Sequence, residues 1–89
     1  MIRRTLRIRN PLGLHARAAA RFVHTASRYR SRVSAGRDGR RMDGKSILGI
    51  LLLGASQGTE IEVEVEGPDE AEAVAALEAL VADGFGERA

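Results

Sequence analysis

The chain of 89 residues has no cysteine and no tryptophan, and only one tyrosine and two phenylalanines. Without cysteine, neither a disulfide framework nor thiolate chemistry is available. Its two histidines have no acidic residue near them in sequence, so no metal-site spacing is present and no metal or cofactor is expected. Long apolar runs are missing too. The longest, Ile47 to Ala55, falls far short of the roughly 20 residues that a membrane-spanning helix needs, so no membrane insertion is expected. The N-terminus lacks the apolar core of a signal peptide, which leads to the expectation of a soluble cytoplasmic protein. No repeat, linker or low-complexity segment interrupts the chain. At this length, with 44% apolar residues, a single small domain over 1–89 with a modest core is expected.

Charge is plentiful but unevenly placed. Residues 1–45 carry 13 basic and 2 acidic side chains, a balance of +11, whereas residues 46–89 carry 1 basic and 10 acidic, a balance of −9. Such a split can mark a nucleic-acid surface, or two halves that pair on folding.

The periodicity favours pairing. Ile2 to Arg9 alternates, with Ile2, Leu6 and Ile8 on one parity and Arg3, Thr5, Arg7 and Arg9 on the other; Arg4 is the exception on the apolar side. This is strand β1. A helix from about Ala16 to Arg28 (α1) buries Ala19, Phe22, Val23, Ala26 and Tyr29 on one face. Its outer face carries Arg17, Arg21, His24 and Arg28, with Ala20 and Ser27 nearby. Arg32 to Gly36 (β2) and Arg40 to Asp43 (β3) flank the hairpin signal Asp38-Gly39. Ser46 is a good N-cap for a short helix over Ile47–Leu53 (α2), ended by Gly54.

Thr59 to Gly67 (β4) turns Ile61, Val63 and Val65 inward and Glu60, Glu62, Glu64 and Glu66 outward. Pro68-Asp69 opens a last helix (α3), with Asp69 and Glu72 at capping-box spacing, a buried stripe of Val74, Leu77 and Val81 helped by Ala73 and Leu80, and Gly84 as its stop. Four glutamates on one strand face repel one another unless basic strands flank them. Arg3, Arg7 and Arg9 on β1 and Arg32 on β2 have the outward parity to do so, which predicts that β4 lies between those strands. The arginines then serve largely as partners on the sheet surface, worth about 0–1 kcal/mol per exposed pair, and a nucleic-acid partner is not expected.

One formal motif match is set aside. Gly39-Arg40-Arg41-Met42-Asp43-Gly44-Lys45-Ser46 fits G-x-x-x-x-G-K-[ST], the phosphate loop of nucleotide hydrolases. That loop needs a buried parallel strand before it and a substantial helix after it. Here a hairpin turn falls inside the motif, the following helix is brief, and no apolar run ending in aspartate follows to hold magnesium.

The chemistry concentrates in Asn10-Pro11-Leu12-Gly13-Leu14-His15-Ala16-Arg17, a turn that runs into α1. His15 falls at or next to the N-cap, where the first backbone N–H groups have no intrahelical partner and the positive end of the helix dipole favours an anion. Arg17 adds a fixed positive charge. A neutral imidazole beside such a site is a plausible phosphoryl acceptor, because the product phosphate is held as soon as it forms.

This segment resembles the active-site loop of HPr, the histidine-containing phosphocarrier family of the bacterial phosphotransferase system. Gly44-Lys45-Ser46-Ile47-Leu48-Gly49-Ile50 resembles the family's regulatory-serine segment, and Gly58-Thr59-Glu60-Ile61 and Gly67-Pro68-Asp69-Glu70 resemble the boundaries of its fourth strand and last helix. The resemblance covers essentially the whole chain. It implies an α+β fold, an open-faced β-sandwich of order β-α-β-β-α-β-α, whose four-stranded antiparallel sheet (β1-β4-β2-β3) is covered on one face by three helices.

It also implies roles. His15 would be phosphorylated through Nδ1 by phospho-enzyme I, and would pass the group to a histidine of an enzyme II A-domain or a related regulator. Arg17 would neutralise the phosphoryl group, and the backbone of Ala16, Arg17 and Ala18 would cradle it. Many family members have proline where this chain has Ala18, which offers one more N–H donor and is expected to keep activity. Ser46 would be phosphorylated by HPr kinase/phosphorylase, placing negative charge on the docking face. Ile47, Leu48 and Leu51 cannot all be buried if Ile50 and Leu53 take the core side. With Arg17, Ala20, Arg21, His24 and Ser27 they form a rimmed apolar patch suited to transient partners. A non-enzymatic phosphoryl carrier, monomeric in solution, is the expectation. Its main alternative is a docking module of the same fold controlled through Ser46.

Overall fold

A computed structural model describes residues 1–87; the last two of the 1–89 span lie outside the described residues. The elements in order are β1 (Ile2–Arg7), α1 (Ala16–Ser27), β2 (Arg32–Arg37), β3 (Arg40–Asp43), α2 (Ile47–Leu52), β4 (Glu60–Glu66) and α3 (Glu70–Ala82), followed by a 3₁₀ turn at Gly84–Gly86. The sheet order is β1-β4-β2-β3 with every pairing antiparallel. Ile2 lies opposite Val65 and Arg7 opposite Glu60, while on the other side Arg32 lies opposite Glu66. The glutamate-rich strand is therefore flanked as its repulsion demands. Asp38 and Gly39 both take positive φ (52° and 78°), the backbone that a two-residue hairpin requires.

One face of the sheet is packed and the other is wet. Leu6, Val33, Ala35, Ile61, Val63 and Val65 are buried against Phe22, Ala26, Ile50, Val74, Leu77 and Val81 from the helices. On the open face Arg3 Nε meets Glu64 Oε2 at 2.7 Å, and Arg41 Nη2 meets Glu62 Oε1 at 2.7 Å. The second pair differs from the sequence expectation, which drew the cations from β1 and β2 alone. Arg41 reaches from β3 across β2, bonding Ser34 Oγ at 2.8 Å on the way. A Cβ at Gly36 would lie 2.8 Å from the Arg41 guanidinium, so the missing side chain opens the passage. Strand parity ignores such reach, because an arginine spans more than one inter-strand spacing.

Other expectations need correction. The first strand ends at Arg7, so Arg9 lies past it, although Ile8 still exchanges backbone bonds with the β4 entry (Ile8 N to Thr59 O 2.9 Å, Gly58 N to Ile8 O 2.8 Å). Arg4, on the packed side, runs its stem over the sheet to bring Nε within 3.9 Å of Glu78 Oε2 on α3. The Asp69–Glu72 capping box does not form. Asp69 makes no side-chain cap bond; its carboxylate instead accepts from the N–H groups of Arg30 and Ser31, both at 2.9 Å, and from Ser31 Oγ at 2.5 Å. Those bonds, the Ser31 hydroxyl foremost, outweigh desolvation and hold Asp69 below the ordinary carboxylate range. Glu70 answers the helix start, accepting from Gly67 N at 3.1 Å.

The hairpin between β2 and β3 also serves α2. Arg37 donates to the carbonyls of Leu53 (3.1 Å) and Gly54 (3.3 Å), and Arg40 to that of Leu52 (3.2 Å). These cations satisfy the otherwise orphan carbonyls at the end of a helix that has no basic residue in its own last turn.

Candidate functional site

The loop that presents His15 is fastened at both edges. Gly13 takes φ +66°, and a Cβ there would lie 2.5 Å from the Ala55 carbonyl, so glycine alone fits. Leu14 N donates to that same carbonyl at 2.9 Å. Asn10, 3% exposed, donates from Nδ2 to the Gly13 carbonyl at 2.7 Å, and Gly13 N returns a bond to the Asn10 carbonyl at 3.1 Å. The Asn10 Oδ1 is buried with no partner among the described residues, so the amide is held through its donors.

This fastening sets His15 at the N-cap of α1 with extended backbone (φ −80°, ψ 179°), and its carbonyl accepts from Ala19 N at 2.8 Å. The half-buried imidazole accepts from Arg17 N on Nδ1 at 3.3 Å, the long end of a hydrogen bond. Ala16 and Ala18 keep first-turn N–H groups that have no carbonyl to pair with inside the helix. His15, Ala16, Arg17 and Arg21 line one open cleft of about 600 Å³ with Pro11, Leu12, Gly86 and Glu87. A second hollow, of about 530 Å³, lies beside Ser31 and Ser34. There the Ser31 hydroxyl donates to Asp69 and the Ser34 hydroxyl accepts from Arg41.

Glu87 and Phe85 escaped the sequence reading. Past Gly84 (φ +62°) the chain makes a further turn in which Phe85 is fully buried at φ +59°. Arg21 donates from Nη1 to the Phe85 carbonyl. Glu87 then lies on the active loop, with Oε1 accepting from Asn10 Nδ2 at 2.9 Å and Oε2 in contact with His15 Nε2. Burial pushes this carboxyl up, but the bonds from His15 and Asn10, aided by the charge of Arg21, outweigh it and leave the group below its ordinary value. The available signal was an isolated aromatic between two glycines, too weak to place a side chain 72 positions from its partner.

Arg21 excepted, the remaining residues lie outside the lining of that cleft. Ser46 caps α2, its half-buried hydroxyl accepting from Gly49 N at 3.1 Å. Lys45 donates to the Tyr29 carbonyl at 2.7 Å, and Gly39 lies in the hairpin turn, so the loop-like motif around them is spread over a turn, a strand and a cap. On α1, Arg21, His24 and Ser27 are exposed and Ala20 is half-buried. Ile47 and Leu48 are exposed, at 42% and 65%. Leu51 differs from expectation, being half-buried against the core, while Leu52 is 51% exposed. The six-residue helix turns Ile50 and Leu53 inward, which rotates Leu52 to solvent and tucks Leu51 beneath.

Comparisons with known proteins bear on the family and the fold. The family model described as "PTS HPr component phosphorylation site" matches residues 2–83. A phosphocarrier protein HPr of Neisseria meningitidis is 47% identical over 87 residues, covering 98% of each chain. The crystal structure of HPr-C-His from Thermoanaerobacter tengcongensis superposes with a TM-score of 0.95 at 45% identity over 100% of both chains. The crystal structure of an HPr dimer from the same organism matches with a TM-score of 0.78 at 46% identity, covering 98% of this chain and 100% of that one.

Proposed function

This chain belongs to the HPr family of the phosphotransferase system, and on that footing we propose that it carries a phosphoryl group on His15 from phospho-enzyme I to a histidine of an enzyme II A-domain or related regulator. The observation that carries the proposal is the imidazole at the N-cap of α1, with Nδ1 directed at Arg17 N. In the resting state that N–H occupies the Nδ1 lone pair only weakly, at 3.3 Å. When Nδ1 attacks, the donor's P–N bond breaks, its electron pair returns to the donor imidazole, and a new P–Nδ1 bond forms. The Arg17 N–H then has a phosphoryl oxygen to bond instead, joined by Ala16 and Ala18 N–H and the Arg17 guanidinium. Reversing these steps hands the group on. Since imidazole exchanges with imidazole, the transfer is nearly balanced, and positioning and charge do the catalysis. On this reading the protein is a carrier rather than an enzyme, acting in the cytoplasm as a monomer and without a cofactor.

The exposed side chains of Ile47 and Leu48, near the basic face of α1, suit docking of such partners. Phosphorylation of Ser46 by an HPr kinase/phosphorylase would place charge beside that surface. The test is intact-mass analysis after incubation with enzyme I, phosphoenolpyruvate and magnesium. One acid-labile phosphoryl group that His15→Ala abolishes is the expected result. No modification by an enzyme I from the same source would reject the carrier role, in favour of a docking module governed through Ser46.

A further inference from the structure

The Glu87 carboxylate is held from two sides. Asn10 Nδ2 divides its two protons between the Gly13 carbonyl of the active loop and Glu87 Oε1, and the other carboxylate oxygen faces His15 Nε2. The segment bearing Glu87 is anchored independently, by the buried Phe85 ring and by Arg21 on the Phe85 carbonyl. An ionised carboxylate only accepts hydrogen bonds, so Nε2 must be the donor. The opposite side of the ring requires the same tautomer, because Nδ1 accepts from Arg17 N. Two separate contacts therefore leave the lone pair on Nδ1.

We infer that Glu87 is a positioning residue for phosphoryl transfer, holding the Nε2 proton so that Nδ1 remains the nucleophile and offsetting the positive charge the ring gains on phosphorylation. The inference rests on the carrier function proposed above. As Nδ1 forms its bond to phosphorus, the ring keeps its Nε2 proton and becomes cationic. As the group leaves, the N–P electron pair returns to Nδ1 and the ring is neutral again with that same proton. No proton moves in either half-reaction. Were Nε2 to lose its proton in the phosphorylated state, the leaving group would be imidazolate and transfer would slow. Among the described residues, the charged groups that share the cleft with the ring are Glu87 itself and Arg17 and Arg21 from α1. Only Glu87 among them contacts Nε2.

The experiment uses the full chain, Glu87→Gln and Glu87→Asp, with enzyme I and phosphoenolpyruvate, following transfer to an acceptor domain from pH 6 to 9 alongside ¹⁵N spectra of the unphosphorylated imidazole. In Glu87→Gln the alkaline pH midpoint of transfer should fall by about one unit, about a tenfold loss above it. The spectra should change from a single Nε2–H tautomer to a mixture. Glu87→Asp, which keeps the charge, should lie nearer the parent protein in both readouts. A Glu87→Gln protein with the parent's pH profile and the parent's ¹⁵N pattern overturns the inference. Failure of the parent protein itself to accept a phosphoryl group would instead overturn the carrier function, while the spectra would still report on the contact.

Discussion

At the start of α1 an imidazole accepts from Arg17 N at 3.3 Å, and at the start of α2 a hydroxyl accepts from Gly49 N at 3.1 Å. Locally these are the same device, an N-cap side chain satisfying one orphan donor. Their surroundings set them apart. The first helix runs for 12 residues and gathers Arg17, Arg21 and a carboxylate from the far end of the chain around its cap. The second runs for 6 residues, its C-terminal carbonyls are tied up by Arg37 and Arg40, its neighbouring Lys45 is committed to the Tyr29 carbonyl, and Ile47 and Leu48 stand exposed beside it. His15 has two ring nitrogens with different partners, so its environment can select which one reacts. Ser46 has one oxygen, already engaged in the cap. Capping chemistry is thus common to both starts, and the charge gathered around the first cap is what suits His15 to the proposed transfer and leaves Ser46 suited, on the same proposal, to a static mark.

The largest expected break in this comparison comes from the fixed charge at the first cap. Arg17→Ala keeps the backbone N–H but removes the guanidinium, and should slow transfer through His15 by about 10²–10³-fold in a single-turnover assay. Lys45→Ala, beside the second cap, should leave that rate near the parent value. A similar loss from both would mean that general positive charge, rather than the built site, drives transfer.

Charge added at the second cap should matter less. Ser46→Asp is expected to slow transfer to His15 about tenfold, equivalent to about 1.4 kcal/mol, by placing negative charge on the docking face. Ser46→Ala is the control, expected to lower stability by about 1 kcal/mol in urea unfolding with transfer intact. An unchanged rate in Ser46→Asp would remove Ser46 from the control of this site.

The smallest effect separates the two caps by pH. Glu87 is held below its ordinary value in the folded protein, so its contribution is fully present above the ordinary glutamate range and is lost as pH falls through the depressed value. On acidification below about pH 4, the backbone signals of Phe85 and His15 should shift as the last turn loosens, while those of Gly49 stay in place. Asp69 behaves with the same sign and contributes to acid unfolding of the whole fold. Coincident shifts at both caps would show that Glu87 does not hold the last turn separately.

Much of the protein was legible in its sequence. The alternation of β4 was unambiguous, and like-charge repulsion along it placed that strand between β1 and β2, as the register bears out. Gly13 and the Asp38-Gly39 pair announced backbone that other residues resist. His15 and Ser46 were identifiable as caps because capping depends on residues a few positions apart.

Less could be read wherever a side chain chose between partners. Asp69 stood at the right spacing for a capping box, yet the donors of Arg30 and Ser31 claimed its carboxylate, because folding brings them closer and in better geometry. Arg41 crosses β2 through the gap at Gly36, a path that strand parity does not encode.

Periodicity, turn chemistry and capping are set by near neighbours in the chain, so the strands, the helices, their order and the two capped starts could be read from it. The partner of His15 Nε2 could not be read that way, because folding alone brings it there. Asn10 and Arg21 are near His15 in the chain, but Glu87 is 72 positions away and reaches it because burial of Phe85 folds the last turn back onto the loop. A carboxylate's influence on an imidazole depends on their separation in space, and separation along the chain says nothing about it.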